Sequence, residues 1–145
     1  MKKRVIDTNA LISFVTDRNP AQQEKTAAIF EDAARLKATI LCPQNVLTEF
    51  VYVLEKIYKH PKSQIRSMIA DFVALPGVQV THAVDIKTLL KLWPDKIADF
   101  GDAIVAVVCK AEKNAEIVTF DEKFVRALKA IGLNTVRWYS AFHMT

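Results

Sequence analysis

The stretch MKKRVIDTNALISF, residues 1–14, decides how the rest of the chain is read. Three basic residues run into Val5 and Ile6, Asp7 follows at once, and after Thr8 and Asn9 a second apolar run starts at Ala10. Arg4-Val5-Ile6 reads as a short strand buried in a sheet, because β-branched residues between polar ones suit a covered strand. The run 10–15 reads as a turn or two of helix. An aspartate therefore stands where a buried strand ends and a helix is about to begin. Capping that helix is one use for it, since an Asp side chain accepts hydrogen bonds from the free N–H groups of a first turn.

Working outward, short β-rich runs alternate with longer helical ones. Asn19-Pro20 opens a helix over about 20–37, with Asn as cap and Pro at its first position. A second strand over 38–42 is stopped by Pro43. Helices follow over 45–58 and 62–75, separated by His60-Pro61. Pro76-Gly77 turns into a strand over 78–81. The run 85–93 is helical up to Pro94. The helix over 99–113 is apolar nearly all round from Ala103 to Cys109, which predicts burial. A strand over 116–120, a helix over 121–131 stopped by Gly132, and a last strand over 134–138 complete the pattern. Strands spaced by helices imply right-handed crossovers and a parallel sheet covered on both faces. Such sheets bind ligands beyond the carboxyl ends of their strands. The residue after each strand is the place to look.

Composition narrows the class. With 145 residues, 51% of them hydrophobic, and only 3 Gly and 5 Pro, residues 1–145 fit a single domain with a core of its own. Cys42 and Cys109 lie far apart in apolar surroundings with no Cys-x-x-Cys, as expected of small core residues in a reducing cytoplasm. The basic start is interrupted by Asp7 and no long apolar segment follows, so no signal peptide is read. The longest strictly apolar run, 103–109, is too short to span a bilayer. Twenty Lys and Arg against 16 acids give a net charge of +4. That balance permits a nucleic-acid partner without demanding one.

The acids are the informative residues. Asp7 follows the first strand and Asp121 follows the strand ending at Phe120, so both belong at one edge of the sheet. Asp99 and Asp102 begin the buried helix three residues apart, on one face. Glu49 lies at the border of the apolar arc of TEFVYVLEKIY. Each has an ordinary structural use: Asp7, Asp99 and Asp121 as caps, Asp102 as a partner of the helix dipole, Glu49 as a boundary residue that reaches solvent or pairs with Lys56. Caps do not explain Glu49, nor why two strands both end in Asp. If the four segments converge, four or five carboxylates share one site. Two charges about 4 Å apart repel by roughly 4 kcal/mol at an effective dielectric near 20. Either some groups stay protonated or a divalent cation sits among them. Hard carboxylate oxygens suit Mg²⁺ or Mn²⁺, and Mg²⁺ keeps several waters, which suits phosphate chemistry.

Four stretches, VIDTNALISFV, VLTEFVYVL, DFGDAIVAVV and IVTFDEKF, together resemble the PIN domain family. They closely resemble its VapC-type toxins of bacterial and archaeal toxin–antitoxin modules. The likeness covers essentially the whole chain. It implies a PIN-like α/β fold, a twisted parallel sheet of about five strands flanked by helices on both faces, and an acidic pocket for Mg²⁺ or Mn²⁺. It further implies metal-dependent endonucleolytic cleavage of RNA, leaving a 5′-phosphate and a 3′-hydroxyl. Carried over by motif, Asp7, Glu49, Asp102 and Asp121 are the catalytic acids, and Asp7, Asp102, Asp121 and Asp99 are the metal ligands. Thr8, Asn9 and Thr119 look like residues that orient carboxylates or water. The acidic set shows no departure from the family pattern, and Gly101 stands where a small residue is usual, which changes little. A homodimer and a cognate antitoxin whose tail blocks the acidic groove are implied as well. Which carboxylate acts as base stays open.

Other features carry less. Lys56, Lys59, Lys62 and Arg66 in KIYKHPKSQIR are candidate RNA contacts, against the alternative of a solvated loop between helices. Lys123, Arg126 and Lys129 are a second such set. His60, His82 and His143 are widely separated, which argues against zinc. Trp93, Trp138, Tyr139 and Phe142 read as packing residues. A PIN-like binding module without catalysis is the alternative function, but none of the acids is lost. A receiver domain would need paired acids after the first strand and a later Lys. A haloacid-dehalogenase-type phosphatase would need Asp where Asn9 stands, and no glycine-rich phosphate loop is present.

Overall fold

The computed structural model describes residues 1–136. Its strands are β1 (Lys2–Ile6), β2 (Ala38–Pro43), β3 (Val78–Thr81), β4 (Ala115–Val118) and β5 (Asn134–Thr135). They form one all-parallel sheet in the order β3-β2-β1-β4-β5. The helices among the described residues are α1 (Thr8–Val15), α2 (Pro20–Ala34), α3 (Gln44–Lys56), α4 (Lys62–Val73), α5 (Ile86–Leu92), α6 (Phe100–Lys110) and α7 (Glu122–Ala130). The α/β architecture expected from the alternating pattern is the one observed. The expected strand over 134–138 is seen as β5, and residues 137 and 138, with Trp138, Tyr139, Phe142 and His143, lie outside the described residues.

The strand order creates the site. From β1 the chain steps to β2 and then β3 on one side, while β4 and β5 lie on the other side of β1. With right-handed crossovers, the connections leaving β1 and entering β4 lie on opposite faces. A crevice therefore opens beyond the carboxyl ends of β1 and β4, the switch point where open α/β sheets bind ligands.

Packing follows from the apolar runs. Val5, Ile6, Ile40, Ile117 and Val118 are wholly buried, as continuous runs in the middle of a parallel sheet should be. Each such side chain contributes about 1.5–3 kcal/mol through burial. Helix α6 buries Ala103 and Val105 through Cys109, as its all-round apolar stretch predicts, and it packs on β1 and β4. At Gly77 the backbone passes so close to the carbonyls of Ala33 and Ala38 that a Cβ would lie 2.5 and 2.7 Å from them.

Three boundaries differ from the sequence pattern for visible reasons. Helix α2 stops at Ala34 because Leu36 takes a left-handed backbone, φ 58°. Helix α6 starts at Phe100 because Asp99 is its cap. Strand β4 ends at Val118, two residues early, because the Phe120 N–H is taken by Asn9 Oδ1 at 3.2 Å rather than by a neighbouring strand.

The amino edge of the sheet is charge-compensated. Lys3 Nζ meets Glu112 at 2.8 Å, Arg4 meets Asp32 at 3.0 Å and Glu116 at 3.5 Å, and Lys2 also reaches Glu116 at 3.5 Å. The basic start of the chain thus closes the end of the sheet opposite the switch point.

Candidate active site

Asp7 leaves β1 directly into α1. Its Oδ1 accepts from the Ala10 N–H at 3.0 Å, so it does cap the helix. That bond occupies one carboxylate oxygen and leaves capacity on the other. The Thr119 side chain, at the end of β4, also hydrogen-bonds this carboxylate. Asp7 is buried, and burial is the main reason its pKa rises from 3.8 to about 7, with the charges of Asp102 and Asp121 adding to the rise. Its two hydrogen bonds pull the other way and do not win.

The other caps follow the same logic. Asp99 Oδ1 accepts from the Asp102 N–H at 2.9 Å, and Asp121 Oδ1 accepts from the Phe124 N–H at 3.1 Å. Asp99 and Asp121 are exposed at the mouth of the crevice. Asp102, in the first turn of α6, is half-buried, and its pKa is pushed up to about 7. Burial leads there, followed by the negative charges of Asp99, Asp121 and Glu49.

Glu49 reaches the same place from α3. Its Oε2 accepts from Thr8 Oγ1 at 3.2 Å and its Oε1 from Asn45 Nδ2 at 3.4 Å. The residue is exposed as a whole, but its carboxyl is partly enclosed, which raises its pKa, and the nearby Asp99 charge raises it further. The alternative pairing of Glu49 with Lys56 does not form; Lys56 lies beside Glu55 instead, at 3.6 Å.

The auxiliary residues each touch an acid or the backbone that carries one. Thr8 holds Glu49. Thr119 holds Asp7 and also accepts the Asp121 N–H at 3.1 Å. Asn9 pins the turn between them by accepting from Phe120 N–H. Together they tie β1, α1, α3 and the β4–α7 turn into one frame.

Two residues matter more here than their motifs suggested. A Cβ on Gly101 would run into Glu49 Oε1 and approach Asp99 Oδ1 at 3.2 Å, so this glycine is where the two carboxylates rest on α6. Glycine inside a helix costs roughly 1 kcal/mol, a signal in the sequence that something needs the space. Asn45 bridges α3 and α6, its Nδ2 also donating to the Gly101 carbonyl at 3.4 Å. Its Oδ1 is buried beside Glu49 with no hydrogen-bond partner among the described residues.

A cleft of about 440 Å³ runs along this edge, with Asp99, Asp102 and Asp121 on its wall. Lys96 and Lys123 line it too. The candidate RNA contacts over 56–66 lie elsewhere. Lys56 and Lys62 flank Glu55, Lys62 at 2.6 Å, and Lys59 and Arg66 are exposed nearby. Seven residues of α3 separate Lys56 from Glu49, a rise of roughly 10 Å.

Among the described residues none of the five crevice acids forms an ion pair, whereas the amino-edge acids Asp32, Glu112 and Glu116 all do. No three Asp, Glu, His or Cys side chains among the described residues converge as a closed metal cage. Mg²⁺ does not ask for one, because it keeps most of its waters and takes one or two carboxylates plus substrate oxygens. The donor set fits such an ion: uncompensated hard carboxylates, and an unpartnered carboxamide oxygen beside them.

The sequence and the fold resemble those of known proteins. The sequence model of the PIN domain family matches residues 4–129. A curated relative, the "VapC ribonuclease" of Aquifex aeolicus, is 26% identical over 139 residues, covering 94% of this chain and 97% of that protein. A solved structure, VapBC2 from Rickettsia felis bound to a DNA fragment from its promoter, superimposes with a TM-score of 0.64 at 19% identity. That match covers 94% of this chain and 99% of the other and shows the shared fold.

Proposed function

The chain belongs to the PIN domain family, and on that premise we propose that it is a metal-dependent endoribonuclease, the toxin of a toxin–antitoxin pair. The observation that carries the reading is the group of five acids at the switch point, drawn from four segments and without an ion pair among the described residues, in a protein that pairs its acids at the opposite edge. The name of the Aquifex aeolicus relative supports RNA as the substrate, and the VapBC complex supports an antitoxin partner. By family likeness the working form is a homodimer in the cytoplasm, and residues 1–145 act as one domain.

In this reading Asp7, Asp102, Asp121 and Asp99 hold Mg²⁺ or Mn²⁺. The ion, when bound, activates a water and stabilises the charge that develops at phosphorus. The chain's own residues prepare the ground. Thr119 and the Ala10 N–H fix the Asp7 carboxylate, so that it need not reorganise. Thr8 and Asn45 hold Glu49 against Gly101, on the α3 side of the crevice. With pKa values near 7, Asp7 and Asp102 exchange protons near neutrality, and as carboxylates they would be the ligands of the ion.

The test is cleavage of a mixed small-RNA pool by the purified, antitoxin-free protein with Mg²⁺ or Mn²⁺, with EDTA, and beside Asp7→Asn. Cleavage that needs the ion and is lost in Asp7→Asn is expected. A folded, ion-loaded protein that binds RNA without cutting it would overturn the catalytic reading.

A further inference from the structure

We propose that Lys123 and Lys96, which line the cleft beside Asp99, Asp102 and Asp121, are the phosphate-binding residues that hold an RNA backbone against the acids. This deepens the nuclease reading and rests on it.

An anionic strand must approach a crevice that presents five carboxylates. Without cations at that same place, repulsion would keep the strand out. The basic residues at the amino edge are spent on Glu112, Asp32 and Glu116. Lys56 and Lys62 are spent on Glu55, two turns of helix away from Glu49. Lys123 and Lys96 differ in both respects. They come from separate elements, Lys123 from the first turn of α7 and Lys96 from the segment between α5 and α6, and both line the one cleft. Both are exposed, and neither forms an ion pair among the described residues even though three aspartates share the cleft with them. Lysine carries a strongly hydrated point charge on a flexible stem, suited to neutralising backbone phosphates of any sequence. The assignment is therefore to affinity and placement of the strand. Base choice would come from other surfaces.

The experiment uses the full chain in two backgrounds. Binding of a labelled single-stranded RNA from 50 to 300 mM salt, in Mg²⁺, is measured in Asp7→Asn so that the strand persists. Cleavage kinetics are measured in the wild type. Lys123→Ala with Lys96→Ala should weaken binding on the order of tenfold near 0.1 M salt and lower the salt slope by about 1.4, or 0.7 per lost phosphate contact. In cleavage the loss should appear in KM more than in kcat, and Lys123→Arg should restore most of it. Lys113→Ala, an exposed lysine between α6 and β4 and outside the cleft lining, is the control and should change neither.

If the wild type cleaves RNA and the double variant matches Lys113→Ala, the lysine assignment fails while the nuclease reading stands. If RNA is bound but never cut, the nuclease reading fails and the salt slope still decides the lysines. Absence of RNA binding in every background overturns the assignment as well.

Discussion

Replacing Asp7 with asparagine should make the metal-free protein more stable, and increasingly so as the pH rises. The folded pKa of Asp7 is about 7 and the ordinary value is 3.8. A carboxyl whose pKa is raised on folding binds more protons folded than unfolded between those two values. Stability is therefore lost as pH climbs from about 4 to about 7, and the penalty stays level above that. At 1.36 kcal/mol per pH unit, the penalty is about 0.5 kcal/mol at pH 4, about 3 at pH 6 and about 4 at pH 8. Asparagine escapes it while keeping the local structure. Its side-chain oxygen still accepts from the Ala10 N–H, and its amide still has Thr119 as a partner. The assay is urea or thermal unfolding in EDTA, wild type beside Asp7→Asn, at pH 4.5, 6 and 8. For a chain of this length each kcal/mol is worth about 3 °C in Tm, so a gap of about 10 °C is expected at pH 8 and almost none near pH 4. A pH-independent difference, or a variant less stable than wild type at pH 8, would refute the claim that Asp7 sits buried, ionised and uncompensated.

Three other outcomes follow from the same geometry. Adding Mg²⁺ or Mn²⁺ at pH 8 should raise the wild-type Tm, by about 2.7 kcal/mol of stability at a hundred times Kd, and should do much less for Asp7→Asn; equal shifts would place the ion elsewhere. Gly101→Ala should leave stability within about 1 kcal/mol of wild type, since helix propensity gains what the displaced Glu49 side chain loses, yet cut RNA cleavage at least tenfold; retained activity would mean that Glu49 need not rest on α6. Asn9→Ala removes the acceptor of the Phe120 N–H and should cost about 1–3 kcal/mol in chemical denaturation, with cleavage reduced because the Thr119–Asp121 turn loosens; an unchanged midpoint would show that turn to be held by other contacts.

How far could the sequence alone go? The continuous apolar runs around Val5, Ile40 and Ile117 already call for covered parallel strands, because short β-branched runs bounded by polar residues and breakers suit strands buried on both faces. The helix starts were equally legible. Asn19, Asp85, Asp99 and Asp121 each accept from an N–H of the first turn, a bond that depends only on local spacing. The list of acids could also be written down without coordinates, since an acid after a strand or within an apolar helix stands out against its neighbours.

That those acids come together was decided by long-range folding. The bond from Thr8 to Glu49 spans 41 residues and that from Phe120 to Asn9 spans 111, so no local pattern could reveal either. Capping and clustering also turned out not to compete. Asp7, Asp99 and Asp121 each spend one oxygen on a helix and belong to the crevice as well, a point invisible when every residue is judged on its own neighbours. The weight of Gly101, the bridging role of Asn45 and the place of Lys96 and Lys123 in the cleft came only from the tertiary structure. Local periodicity sets which residues are buried and where helices begin, because those depend on contacts a few residues apart. The strand order decides which carboxylates are buried together, and so which of them shift their pKa, because burial first and neighbouring charge second act through space and take no account of sequence distance.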